Sequence, residues 1–198
     1  DRLVHVVFNR PEANNSFNGD MLIKLMDAYD PNKILLIESQ GKNFSTGWDL
    51  NNGGFNSQAF EDSINKYSEF VERLENAVQP IVVICQGSCR GGSMLFPLMA
   101  DYVIAYKDAS FGFPEVRRGG IPALVSVAAM KKLSRTMAKR MMLLGEPIQV
   151  EEAKNTNLVD YICNTKEECN QIVKNLFNQF ITNHIHLLNL RETESSFN

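Results

Sequence analysis

Two apolar runs in this chain each lead into a glycine-bearing turn, and no other feature restricts the possible folds so much. Ile34-Leu35-Leu36-Ile37 precedes Phe44-Ser45-Thr46-Gly47-Trp48-Asp49-Leu50, and Ile81-Val82-Val83-Ile84-Cys85 precedes Gly87-Ser88-Cys89-Arg90-Gly91-Gly92-Ser93-Met94. Short, unbroken runs rich in Ile and Val read as strands buried on both faces, the habit of a parallel sheet. Glycine lets the backbone turn tightly and approach a bound group closely. Two such turns facing each other could aim two backbone N–H groups at one oxygen, forming an oxyanion hole.

The rest of the chain supplies alternating elements. Leu3–Phe8 reads as a buried strand ended by Asn9-Arg10-Pro11. Met21, Leu22, Leu25 and Met26 recur at helical spacing, and Pro31 stops that helix. Phe60, Ile64, Tyr67, Val71 and Leu74 mark a long amphipathic helix, Met94–Met99 continues helically despite Pro97, and Tyr102–Ala105 is another strand. Helices are predicted over Val125–Leu133, Met137–Leu144, from Val150, and over Glu167–Phe180, with Leu158–Cys163 strand-like. Asn51-Asn52-Gly53-Gly54 reads as a linker and residues 193–198 as a frayed end. Strands alternating with helices predict an α/β fold with a mainly parallel sheet. We divide the chain into a core over residues 1–144 and a C-terminal helical segment over 145–198, together one continuous domain.

Composition excludes several function classes. With 198 residues the chain is long enough for a substantial core. A net charge of -3 and no basic–aromatic interleaving argue against nucleic acid. The cationic stretch from Lys131 to Arg140 lies on a helical pattern and reads as a solvated face. No apolar run approaches the roughly 20 residues of a membrane span, and no leader-like segment opens the chain, so a cytoplasmic location is expected. Cys85, Cys89, Cys163 and Cys169 lack zinc-site spacing and read as reduced structural thiols; no metal is expected.

Read in order, the motifs resemble the crotonase (enoyl-CoA hydratase/isomerase) superfamily over nearly the whole chain. Phe8-Asn9-Arg10-Pro11-Glu12-Ala13-Asn14-Asn15-Ser16-Phe17 is similar to the family's opening strand and coenzyme A loop. Lys42 to Leu50 resembles the first oxyanion segment, and Pro80 to Gly87 with Arg90-Gly91-Gly92-Ser93 the second. Ala109-Ser110-Phe111-Gly112-Phe113-Pro114-Glu115-Val116 resembles the catalytic-glutamate segment, and Leu144 to Ile148 with Glu151-Glu152-Ala153 and Leu158-Val159-Asp160 the late helix pair. The resemblance implies the crotonase-like ββα superhelix with C-terminal helices. It also implies an enolate-like thioester oxyanion held by the N–H groups of Trp48 and Gly92, with Glu115 as base. Ala13, Asn15, Thr46, Asp49, Arg90, Gly91 and Leu95 would line the substrate site. The substrate would be an acyl thioester of coenzyme A or an acyl carrier protein, the latter as in polyketide β-branching members. No cofactor is implied beyond coenzyme A or phosphopantetheine as that carrier, and a homotrimer or hexamer is implied as the assembly.

Two departures refine the expectation. Hydratases of the family carry two glutamates, and the first falls on Leu95 here, leaving Glu115 alone. A single carboxylate still moves an α or γ proton, which favours isomerisation over water addition, with hydration or dehydration kept open. The connection from Met26 to Ile34 is also shorter than the family's.

Several residues carry more than one reading. Glu115 could be a helix-start carboxylate favoured by the dipole. Asp49 reads first as a turn-stabilising side chain. Arg90 is balanced between a surface cation and a carboxylate clamp that would support decarboxylation; Arg117 and Arg118 read as surface residues. Ser93 stands where the related Clp-type proteases place a nucleophile, but His5, His184 and His186 fall in the wrong places for its base. The remaining alternative is a non-catalytic homologue that binds acyl thioesters.

Overall fold

The computed structural model describes residues 2–49 and 58–183, except the side chains of residues 59 and 60. Leu50, the Asn51–Gly54 linker, the side chain of Phe60, His184, His186 and residues 193–198 lie outside the described residues. The elements run β1 (Leu3–Phe8), α1 (Gly19–Ala28), β2 (Ile34–Ser39), α2 (Gln58–Glu75), β3 (Ile81–Cys85), β4 (Ser88–Arg90), α3 (Leu95–Met99) and β5 (Tyr102–Tyr106). They continue with β6 (Ser110–Gly112), α4 (Ala123–Lys132), α5 (Arg135–Leu144), β7 (Ile148–Gln149), α6 (Val150–Asn155), β8 (Tyr161–Cys163) and α7 (Lys166–Thr182). Single 3-10 turns occupy Pro11–Ala13, Gly91–Met94 and Pro114–Arg118.

Two sheets result. The larger has the order β1-β2-β3-β5-β8, and every adjacent pair is parallel. Its alternate side chains divide between two apolar layers. Leu35, Ile37, Val83, Cys85, Val103 and Ala105 join the main core, while Ile34, Leu36, Val82, Ile84 and Ile104 pack with Leu176 and Phe180 of α7. That two-sided burial is why these strands are continuous apolar runs rather than alternating ones. The smaller sheet sets β6 between β4, parallel, and β7, antiparallel. The segment after Gly145 therefore adds β7 and β8 as well as α6 and α7.

Helix ends follow local chemistry. The side chains of Asn18, Ser134 and Thr165 accept the N–H of Met21, Met137 and Glu168 respectively and cap α1, α5 and α7. Gly145, at φ 65°, ends α5 in the left-handed conformation.

Some sequence expectations need correcting. β1 is not buried: Leu3 and His5 are exposed and only Phe8 is fully enclosed, because β1 takes an edge of the larger sheet. His5 answers to Glu38 across the β1–β2 pair at 2.9 Å. The Leu158–Cys163 run pairs only from Tyr161, while Leu158 and Val159 drop into the main core. β4 and β6 carry no strand signal of their own, since β4 lies within a glycine-rich segment. The short α1–β2 connection closes through a turn in which Asp30 accepts the N–H of Asn32 on its side chain and that of Lys33 on its carbonyl.

Candidate active site

Because β2 and β3 are adjacent and parallel, the segments leaving their C-terminal ends emerge side by side, the usual place for a site in an open α/β sheet. The first glycine segment lies against the second as an extra rung. Phe44 N–H donates to the Gln86 carbonyl (2.7 Å), Ser45 N–H to Ser88 (3.0 Å), and Arg90 N–H to Ser45 (3.0 Å). Ser93, fully buried, reinforces the junction: its hydroxyl accepts the Arg90 N–H at 3.0 Å and lies 3.0 Å from the Ser45 carbonyl and 2.8 Å from that of Arg90. This is a structural staple, and no described histidine stands beside it; His5 is across the sheet on its exposed edge. The nucleophile reading of Ser93 has no geometric support.

The opposite side of the first segment is tied to the loop after β1. Phe17 N–H donates to the Gly47 carbonyl (2.7 Å) and Asp49 N–H to that of Phe17 (2.8 Å), a parallel bridge between Phe17 and Trp48. In such a bridge the N–H of Trp48 itself points to the other side, away from Phe17. Gly92 is second in the 3-10 turn Gly91–Met94, where an N–H precedes any partner within its own turn. A Cβ on Gly47 would lie 3.5 Å from the Gly92 nitrogen, so the two segments meet at these glycines.

Glu115 arrives from a third direction. β6 pairs with β4, and the turn that follows β6, Pro114–Arg118, carries the carboxylate across to Gly91. A Cβ on Gly91 would stand 2.9 Å from Glu115 Oε1, and Gly91 has φ +58°. Glycine is thus needed there twice, for the backbone conformation and for the space. Thr46, Gly47, Trp48, Gly91, Gly92, Pro114, Glu115 and Arg118 line one narrow cleft of about 40 Å³. Glu115 Oε2 is buried and has no hydrogen-bond partner among the described residues. Burial pushes the Glu115 carboxyl above the usual carboxylate range, against smaller opposing pulls from its own backbone and from Arg118. A half-dry carboxylate with Oε2 unpartnered, beside two glycine turns, is equipped to accept a proton from a bound carbon acid.

The sequence expectations divide here. Glu115, Trp48, Gly92, Gly91 and Thr46 come together in the cleft. Asn15 does not reach it. Its side chain is fully buried, accepts the Arg10 N–H at 2.8 Å and donates to the Gln40 and Asn43 carbonyls at 2.8 and 2.9 Å. It latches the loop that supports Trp48. Ala13, half-buried at the end of its 3-10 turn, accepts the Ser16 N–H. The Asp49 side chain, 3% exposed, pairs with Arg10 at 2.6 Å, which fits the turn-stabilising reading. The Arg90 guanidinium donates to the carbonyls of Cys89 (3.0 Å) and Ser110 (2.5 Å) and to the Ser110 hydroxyl (2.8 Å). It joins β4 to β6, and the geometry favours neither the surface cation nor the carboxylate clamp. Leu95 is wholly buried in the main core and is not among the residues lining the cleft.

Two residues of the site were not expected there. Arg118, read as a surface residue, lines the cleft because a 3-10 turn puts residues three apart, Glu115 and Arg118, on one side. Tyr67 sits on the apolar stripe of α2, where spacing marks only a core position, yet its hydroxyl donates to the Gly92 carbonyl at 2.5 Å. The one clue was its type, a phenol where the neighbouring Phe70 is plain hydrocarbon.

The four cysteines are free and buried, and burial pushes the Cys85 thiol well up, so it stays protonated. Among the described residues no group of three or more His, Cys, Asp or Glu is placed to hold a metal ion, and no helix is long and apolar enough to cross a membrane.

Similarity to known proteins agrees with this geometry. Crotonyl-CoA hydratase of Syntrophomonas wolfei is 27% identical over 186 residues, covering 88% of this chain and 70% of that protein. 2,3-Dehydroadipyl-CoA hydratase of Escherichia coli is 26% identical over 165 residues, covering 80% of this chain and 64% of that protein. The chain thus spans about two thirds of the length of these relatives. Among solved structures, an enoyl-CoA hydratase from Shewanella pealeana superposes over 99% of this chain and 77% of its own with a TM-score of 0.87 at 24% identity. An enoyl-CoA hydratase/isomerase family protein from Silicibacter pomeroyi matches 98% of this chain and 86% of its own with a TM-score of 0.86 at 21% identity. Those two establish the shared crotonase fold. The enoyl-CoA hydratase/isomerase family model matches residues 1–193, and the chain belongs to that family.

Proposed function

We propose that this chain catalyses proton transfer on an acyl thioester, with Glu115 as the single base and the N–H groups of Trp48 and Gly92 as the oxyanion donors. The observation that carries the reading is the buried, unpartnered Oε2 of Glu115 in the same cleft as Gly91, Gly92 and Trp48. Glu115 takes the proton from the thioester α or γ carbon, the electron pair moves onto the carbonyl oxygen, and the two N–H groups meet the negative charge. Each donor contributes about 3 kcal/mol to the transition state. Return of the proton at a different carbon completes a double-bond shift. Of the described residues lining the cleft, Glu115 is the sole acid, which supports isomerisation over water addition, since no second carboxylate there holds a nucleophilic water. Coenzyme A or an acyl carrier protein would present the thioester. A homotrimer or hexamer is the assembly proposed with it.

The test is mass spectrometry of a panel of short saturated, unsaturated and carboxyl-bearing acyl-coenzyme A thioesters, each incubated with the folded chain in deuterated water. Deuterium at the α or γ carbon with double-bond migration is expected, faster than hydration. Absence of exchange in every thioester would refute the enzyme reading. Dominant hydration would refute the single-base reading, and loss of carbon dioxide would restore decarboxylation.

A further inference from the structure

Tyr67 is fully buried on α2 and reaches both halves of the oxyanion site. Its hydroxyl donates to the Gly92 carbonyl at 2.5 Å, and its ring meets the Trp48 indole edge-on, with centroids 5.1 Å apart. The indole in turn covers Gly92, since a Cβ there would fall 2.7 Å from Trp48 Nε1. One side chain, anchored in a long helix, is therefore in contact with each of the two residues whose N–H groups must converge. The Gly92 carbonyl does not need the phenol for its own satisfaction, because Leu95 N–H already donates to it within the turn. Phe would fill the same apolar space. The hydroxyl is an addition, and burial above all, with a smaller push from nearby Glu115, keeps it protonated and donating.

We propose that Tyr67 is a positioning residue that fixes the Gly91–Met94 turn and the Trp48 indole relative to one another, holding the two oxyanion donors at their working separation. This rests on the reading of the cleft as an oxyanion site. Displacements of about 1 Å at such a site cost on the order of 100-fold in rate, so one hydrogen bond at the turn can matter greatly for turnover while hardly affecting the fold.

The experiment is Tyr67→Phe in the full chain, with three measurements. In the deuterium-exchange assay, kcat should fall about 10- to 100-fold with KM within about twofold. The melting temperature should move little, because no buried acceptor is orphaned. Amide hydrogen exchange across residues 91–95 should accelerate about tenfold, the release of one hydrogen bond. Unchanged kcat overturns the proposal, as does a loss of kcat accompanied by an equal loss of global stability. Should the parent chain exchange no thioester at all, the enzyme reading fails separately. Amide exchange then decides the role of Tyr67: acceleration confined to 91–95 upholds it, and an unaltered turn overturns it. Trp48 is the chain's single tryptophan, so a fluorescence shift in Tyr67→Phe reports directly whether the indole has moved.

Discussion

Glu115→Gln should slow the protein's chemistry and raise its stability, and the two effects should depend on pH in a linked way. The side chain keeps its shape but loses its charge and its basicity. Deuterium exchange into a thioester should fall by about 10²–10⁴-fold, the usual contribution of a general base. Stability should move the other way. Burial raises the folded carboxyl above its ordinary 4.5, with Oε2 unpartnered. A carboxyl raised on folding binds protons more tightly in the native state, so stability is full below the unfolded value and is lost as pH rises through the folded one. The parent is thus handicapped at pH 8 and Gln is not. Gln leaves a polar atom in the same place but removes the charge, and it is the desolvation of that charge that Gln relieves; with the group still partly open to water, the gain is about 1 kcal/mol. That corresponds to a rise of about 2–4 °C for a chain of this size. Melting curves of parent and mutant from pH 4 to 9 should diverge upward and close at the acidic end. The parent's own rate should rise with pH through the same raised value. A mutant less stable than the parent at pH 8, or one with parental exchange rates, would refute the reasoning.

Other substitutions probe the surroundings. Gly91→Ala places a methyl 2.9 Å from Glu115 Oε1 at φ +58°, and should lose at least about tenfold in exchange rate together with about 1 kcal/mol of stability, read by kinetics and thermal melts. Leu95→Glu buries a carboxylate in the main core rather than in the cleft; it should cost several kcal/mol and confer no water addition, and a stable mutant that hydrates an enoyl thioester would place Leu95 at the site after all. Asp49→Asn removes the charge facing Arg10 at 2.6 Å but leaves it an amide acceptor, the Ser16 carbonyl and Glu12, and should destabilise by about 1–2 kcal/mol in denaturant titration, while parental stability would show the pair to be incidental.

The sequence by itself determined most of the fold. Continuous apolar runs specify doubly covered parallel strands, helical spacing specifies α1, α2 and α7, and glycines between strand and helix specify turns. The two glycine turns were legible from local chemistry, while the roles expected of Glu115, Trp48 and Gly92 came from the resemblance of their segments to the family; by itself Glu115 reads as a helix-start carboxylate. Tertiary structure alone decided which polar groups stay free. Arg90, Asp49 and Asn15 are of types that bind ligands, yet each is occupied by partners distant in the chain: Ser110, Arg10, and the Gln40 and Asn43 carbonyls. Glu115 is the same kind of residue with its Oε2 left unpartnered, because the fold brings it against glycine. Tyr67 shows the same divide, since helical spacing places its ring in the core but cannot show that a carbonyl from another segment waits at the end of its hydroxyl. Composition and periodicity report how much a side chain is buried; what it meets there depends on contacts between segments far apart in sequence.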